Sequence, residues 1–174
     1  MTTLTQLSTK PSLKVNRKLT DSFAPGRGLR QGDPLSPYLF ILCAEGFSTL
    51  LHHAEEEGSI QGIKLGPMAP SINHLFFADD SLIVMKANVE NAARLNQILQ
   101  LYGCHSGQVI NKDKSSAFFS KGTSPGVKRA VLNVLGIPRE SRNERYLGLP
   151  VHLGASKAKE FEYLKEKIWQ HIQG

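Results

Sequence analysis

Apolar residues along this chain fall at helical spacing over a few stretches and at strand spacing over several shorter ones. The pattern predicts a helix from Pro37 to about Glu57. Ser36 suits its N-cap, Pro37 its first helical position, and Gly58 a left-handed stop. The first two turns of that helix are apolar nearly all round, which predicts burial. Further on, Phe47, Leu50, Leu51 and Ala54 share one face, with the three glutamates 55–57 turned to water. "SIQGIKLGP" reads as a short strand. "HLFFA" and "SLIVM" are two β-rich runs joined by Asp79 and Asp80, which predicts a tight hairpin with both carboxylates at its exposed tip and packed apolar arms. From Val89 to Tyr102, apolar residues at 89, 92, 95, 98, 99 and 102 keep helical spacing. Beyond a glycine-containing turn, "QVINKDKSSAFFS" suggests two short strands, and "SPGVKRAVLNVLG" a short helix opening at Ser124 and Pro125. "RYLGLPVHL" is strand-like, and "SKAKEFEYLKEKIWQHIQ" an amphipathic terminal helix. Interleaved helices and antiparallel hairpins place the chain in the α+β class. Residues 1 to about 14 show no period, and "DSFAPGRGLRQGDPLSP", with Gly26, Gly28, Gly32, Pro25, Pro34 and Pro37, reads as a constrained loop.

Composition adds little to the class and something to the partners. With 40% apolar and 21% charged residues among 174, the chain is globular and long enough for a sizeable core. The net charge of +6 is uneven: ten Lys and Arg face five Glu from Ser120 to Gly174. Such a basic third suits phosphate-bearing partners or is simply a solvated face. Cys43 and Cys104 have no CxxC spacing and read as reduced, partly buried thiols of an intracellular protein. The longest apolar run, "YLFILCA", is far too short to span a membrane.

The two aspartates carry the candidate chemistry. An Asp-Asp pair can be a turn chosen for geometry alone, yet Asn-Gly or Asp-Gly would serve a hairpin better. Two adjacent negative charges repel unless a cation sits between them. Carboxylates on a rigid hairpin suit Mg²⁺, which takes oxygen ligands and keeps positions for substrate phosphates. The chemistry by itself reaches metal-assisted phosphoryl transfer and stops there. Other clusters are weaker. His52 and His53 point about 100° apart on a helix, His74, His105, His152 and His171 share no ligand spacing, and Trp169 with Phe161 and Ile168 reads as helix packing.

Four segments, in order, resemble the palm domain of reverse transcriptases, in particular those of plant-like non-LTR (LINE-type) retrotransposons. They are "RGLRQGDPLSPYLF", "FADD" between its apolar strands, "SGQVINKDKS" and "RYLGLP". The resemblance covers about residues 21–174. It implies a partial palm over residues 21–151, with the C-terminal helix at 152–174 opening a thumb or connection region and residues 1–20 outside it as a poorly packed N-terminus. It implies further that Asp79 binds catalytic Mg²⁺ or Mn²⁺ and Asp80 assists, with Lys114 near the departing pyrophosphate. Gln31 and Gly32 would lie beneath the nascent base pair, and Arg30 would meet the triphosphate or template backbone. Phe77 would stand near the nucleotide sugar, and Tyr146, Leu147 and Gly148 would grip the primer end. The partners implied are an RNA template, a DNA primer and deoxynucleoside triphosphates, with no membrane. Each role has a plainer counterpart: Lys114 as a strand-edge charge, Tyr146 as core, Arg30 as a loop cap.

One departure from the family bears on activity. The family supplies a third carboxylate from a strand upstream of "RQGDPLSP", and the sole acid among the first thirty residues is Asp21, in a turn-like setting. A fragment lacking the first catalytic motif and the fingers is expected from this. Autonomous activity is then not expected unless a dimer or a complementing polymerase fragment completes the site. The alternatives are a non-catalytic nucleic-acid-binding or interaction remnant, or a decayed element without selected function. A nuclear or cytoplasmic ribonucleoprotein location fits the retroelement reading.

Overall fold

The computed structural model describes residues 12–22, 32–141, 145, 146, 149, 150, 162, 165 and 168–172. Its elements, in order, are β1 (Lys14–Val15), β2 (Lys18–Leu19), α1 (Ser36–Glu56), β3 (Ile63–Lys64), β4 (Ser71–Ile72), β5 (His74–Phe77), β6 (Asp80–Ile83), α2 (Val89–Ser106), α3 (Pro125–Leu135), β7 (Arg145–Tyr146) and β8 (Leu149–Pro150). Every described sheet is a two-stranded antiparallel ribbon. The mixture of helices and small antiparallel sheets is compatible with the α+β class. The chain divides into two compact units, Met1–Asn111 and Lys112–Gly174.

In the first unit, α1 and α2 pack together and hold the β5–β6 hairpin against α1. The core consists of Phe47, Leu51 and Ala54 from α1, Ile60 from the following loop, and Ala92, Leu95 and Ile98 from α2. These are the positions that helical spacing brings to one face of each helix. α2 starts at Asn88, whose side chain accepts the Asn91 N–H at 2.7 Å, and stops at Gly107, which has φ +72°. It runs one turn beyond Tyr102, to Ser106. Gly58, at φ +71°, ends α1 as expected. The cap at the other end of α1 differs from expectation. Ser36 is the first helical residue and the cap position falls to Leu35, which has no side-chain cap. Asp33 does that work instead, its Oδ1 accepting Leu35 N–H at 2.9 Å and its carbonyl accepting Ser36 N–H at 3.1 Å.

The burial expected for the first two turns of α1 does not hold. Leu35, Tyr38, Ile41 and Leu42 are all exposed, Leu42 by 67%. The buried residues of α1 are Phe47, Leu51 and Ala54, and in its first two turns Ser36, Leu39 and Phe40 are no more than half-buried. Cys104 is likewise exposed, whereas Cys43 is half-buried.

In the second unit, α3 buries Val131 and Leu135 and opens at Ser124 as its sequence predicts, the Ser124 side chain accepting from Val127 N–H, and it ends at Gly136 with φ +65°. The strands expected within 108–120 do not form. The charged turn at 112–114 breaks the run, and Ala117 pairs instead with the 139–141 segment through a single parallel bridge to Glu140. Lys128 closes this region by pairing with Glu140 and lying 5.6 Å from the centre of the Phe119 ring.

Candidate functional site

The hairpin's register decides what the two aspartates can do. His74 pairs with Ile83, Leu75 with Leu82, Phe76 with Ser81 and Phe77 with Asp80. The two-residue connection is therefore Ala78–Asp79, one position earlier than the sequence suggested, and Asp80 is the first residue of β6. Ala78 takes φ +49°, a left-handed conformation costly for a side-chain-bearing residue. Tight hairpin turns call for positive φ in their centre, and here an alanine supplies it without glycine.

Strand alternation sorts the hairpin into two faces. His74, Phe76, Ser81 and Ile83 share one of them, and this face meets α1: the Phe76 ring stacks on Phe47 with centroids 5.1 Å apart. Leu75, Phe77, Asp80 and Leu82 share the other, where Leu75 and Phe77 are 47% and 60% exposed. So only one face of the apolar arms packs. Asp79 at the turn and Asp80 on the open face are both exposed. Neither carboxylate takes part in an ion pair or side-chain hydrogen bond among the described residues.

The base of the hairpin is anchored by polar side chains that sequence reasoning did not single out. Asn73, 2% exposed, donates through Nδ2 to the Leu51 carbonyl of α1 at 3.0 Å. Its own carbonyl accepts the Val84 N–H at 2.8 Å, which ties both ends of the hairpin together. The His74 ring bonds Asn73 Oδ1 through Nδ1 and lies 2.9 Å from Ser48 Oγ through Nε2. Burial, and then repulsion from His52, hold His74 below the ordinary histidine range, against the pull of Glu55 and Glu45. The available signal was the Asn-His pair directly ahead of an otherwise apolar strand.

The other expected site residues are distributed as follows. Gly32 is described, exposed, and at φ +85°, with no heavy atom near the place a Cβ would take. Lys114 is exposed in the 112–114 turn of the second unit, and Tyr146 is half-buried in β7. Arg30, Gln31, Leu147 and Gly148 lie outside the described residues. In the first unit the structure thus brings Phe77, Asp79 and Asp80 together. Asp79 and Asp80 offer hard oxygen donors of the kind Mg²⁺ and Mn²⁺ take. Among the described residues no group of three or more His, Cys, Asp or Glu side chains is arranged to hold a metal, so the hairpin offers two carboxylates and water would complete the shell. No described helix is long and apolar enough to cross a membrane.

The chain matches a family model described as reverse transcriptase (RNA-dependent DNA polymerase) over residues 1–164. It is 61% identical over 57 residues to an uncharacterized mitochondrial protein of Arabidopsis thaliana, covering 33% of this chain and 47% of that one. It is 34% identical over 104 residues to the Transposon TX1 uncharacterized 149 kDa protein of Xenopus laevis, covering 60% of this chain and 8% of that one. The chain thus spans about half of the first relative and a small part of the second. No solved structure gives a significant match.

Proposed function

The chain belongs to the reverse transcriptase (RNA-dependent DNA polymerase) family, and on that premise we propose that it carries the hairpin half of a palm-type nucleotidyl-transfer site from a non-LTR retrotransposon polymerase. The observation that carries this reading is the hairpin register. One face is stacked on α1, and the opposite face and tip present Asp80 and Asp79, free of protein partners among the described residues, beside an exposed Phe77. A hairpin needing only a turn gains nothing from two uncompensated carboxylates there. The likeness to a transposon protein supports ancestry in a transposable element.

In this reading Asp79 and Asp80 hold Mg²⁺ or Mn²⁺, which neutralises charge developing during an in-line phosphoryl transfer. The reaction takes a third carboxylate, which comes from outside the described residues. Phe77, on Asp80's face, borders the nucleotide sugar. Arg30 meets the triphosphate or template backbone, and Gln31 and Gly32 lie beneath the nascent base pair, where Gly32, with left-handed backbone and open space around it, lets the main chain approach closely. Lys114 serves the departing pyrophosphate, and Tyr146, Leu147 and Gly148 the primer end. The partners are an RNA template, a DNA primer and deoxynucleoside triphosphates.

Primer extension on an RNA template with Mg²⁺ or Mn²⁺, comparing the chain with Asp79→Asn, tests the proposal. Incorporation that depends on Asp79 supports it, and its absence from a folded sample counts against activity in this chain alone. A second reading, non-catalytic binding of nucleic acid, is favoured by one feature: six Lys and Arg face two acids between Lys112 and Ser141. It predicts salt-sensitive binding unaffected by Asp79→Asn.

A further inference from the structure

The hairpin that bears Asp79 and Asp80 is held on α1 at its far end by a small polar clasp, and the clasp's chemistry is specific about protons. Asn73 Nδ2 donates to the Leu51 carbonyl, which fixes the amide so that Oδ1 faces His74. An amide oxygen only accepts, so His74 Nδ1 carries a hydrogen. In the neutral ring Nε2 is then an acceptor, and the Ser48 hydroxyl donates to it at 2.9 Å. The ring also packs 4.6 Å from the Phe76 centroid, next to the Phe76–Phe47 stack, and edge-on to His52 at 5.0 Å. Every polar atom of the neutral imidazole is matched. A second proton on Nε2 would require Ser48 to reverse its hydrogen bond and would place a cation beside His52.

We propose that His74 is a positioning residue whose neutral ring, clasped between Asn73 of the hairpin and Ser48 of α1, sets the pose of the Ala78–Asp80 tip, and whose protonation moves that tip. The tip stands four strand residues away, about 13 Å at ~3.3 Å per residue, and β5 connects the two without interruption. The charged groups acting on His74 are His52, which disfavours the second proton, and Glu55 and Glu45, which favour it; all three project from α1. Burial and His52 prevail. The pose of the tip stands on this geometry, and its bearing on nucleotidyl transfer rests on the reading of Asp79 and Asp80 given above.

The test is an NMR titration of the ¹⁵N-labelled full chain from about pH 8 to about pH 5, above the range where ordinary carboxylates titrate. The Ala78, Asp79 and Asp80 amides are expected to shift with the same midpoint as the His74 ring protons, below the ordinary histidine value. In His74→Gln that inflection disappears from the tip. In His52→Gln, an exposed change that lifts the repulsion, the ring and tip midpoints rise together. Tip amides that stay flat through the His74 inflection, or that keep the inflection in His74→Gln, overturn the proposal. If His74→Gln does not fold, His52→Gln decides, because a ring midpoint that moves without the tip's also overturns it. None of these readouts uses metal, template or nucleotide, so they fail independently of the polymerase reading.

Discussion

Phe76 of the hairpin lies flat on Phe47 of α1, the ring planes 9° apart, and Phe47 in turn stacks on Tyr102 of α2 with centroids at 4.6 Å. One buried aromatic thus joins β5, α1 and α2. Phe47→Ala removes both stacks and leaves a cavity, for an expected loss of about 3–5 kcal/mol. Phe47→Leu should cost distinctly less because it keeps most of the volume. Urea unfolding measures both, and a loss below about 1 kcal/mol for the alanine variant would show that the stack is not the tie.

Ala78 makes the hairpin turn at φ +49°. A left-handed conformation costs a side-chain-bearing residue roughly 1–2 kcal/mol, more than the extra chain entropy glycine brings, roughly 0.5–1 kcal/mol. Ala78→Gly should therefore raise stability by roughly 0.5–1 kcal/mol, and Ala78→Val should lower it through its β-branch. Midpoints of chemical denaturation that fall in the glycine variant would contradict the strained-turn account.

Much of this was legible in the sequence, and the exceptions have physical causes. Helical spacing gave the core positions of α1 and α2, because Phe47, Leu51 and Ala54, or Ala92, Leu95 and Ile98, recur at the helical repeat. Gly58 marked the end of α1 because it takes the left-handed φ that other residues resist, and in the structure Gly107 and Gly136 do the same for α2 and α3. The hairpin was visible as two apolar arms around Asp79 and Asp80. Its register was not, because nothing in "FFADDS" announces that an alanine will accept positive φ and shift the turn by one residue. The exposed start of α1 departs from its sequence pattern because an apolar run reports a preference for burial and not whether a partner is there. The clasp of Asn73, His74 and Ser48 closes through a Ser48–His74 bond between residues 26 apart in sequence, which no local pattern encodes.

His74 gives the fold a pH dependence of known sign. Its folded value lies below the ordinary one, chiefly through burial and then through His52. The neutral ring is thus the form that folding favours. The stability it contributes is fully present above the unfolded value of about 6.5 and is lost as pH falls through the lower folded value. Thermal unfolding between about pH 7.5 and pH 5 should show stability falling toward the acid side, with that slope reduced in His74→Gln. A slope unchanged in the variant would assign the effect to other groups.

Gly62 sits where the chain passes close to β4 and α1. A Cβ there would lie 2.6 Å from the Ile72 carbonyl oxygen, 2.7 Å from Glu55 Oε1 and 2.8 Å from Ser71 Oγ. The two side chains can swing aside, but the carbonyl belongs to β4, whose Ile72 pairs with Ile63. Gly62→Ala should then part the β3–β4 ribbon and cost about 1–3 kcal/mol, as overpacking does. Weakened amide protection at Ile63 and Lys64 would locate the damage, while protection retained there alongside undiminished stability would mean the backbone yields without cost.

Asp79 and Asp80 place two like charges side by side on an exposed tip with no countercharge among the described residues. In the absence of divalent cation their repulsion works against the hairpin, so either Asp79→Asn or Asp80→Asn should modestly raise the unfolding midpoint at low ionic strength. The gain should shrink as salt screens the pair. With Mg²⁺ or Mn²⁺ the ranking should reverse, because a ligand that binds only the folded state stabilises it, and the wild-type pair binds better than a single carboxylate. Removing the cation with a chelator should restore the first order. Melting curves for the three proteins with and without cation make the comparison. A wild-type midpoint indifferent to millimolar Mg²⁺ and Mn²⁺ would mean that the paired carboxylates hold no metal in this chain.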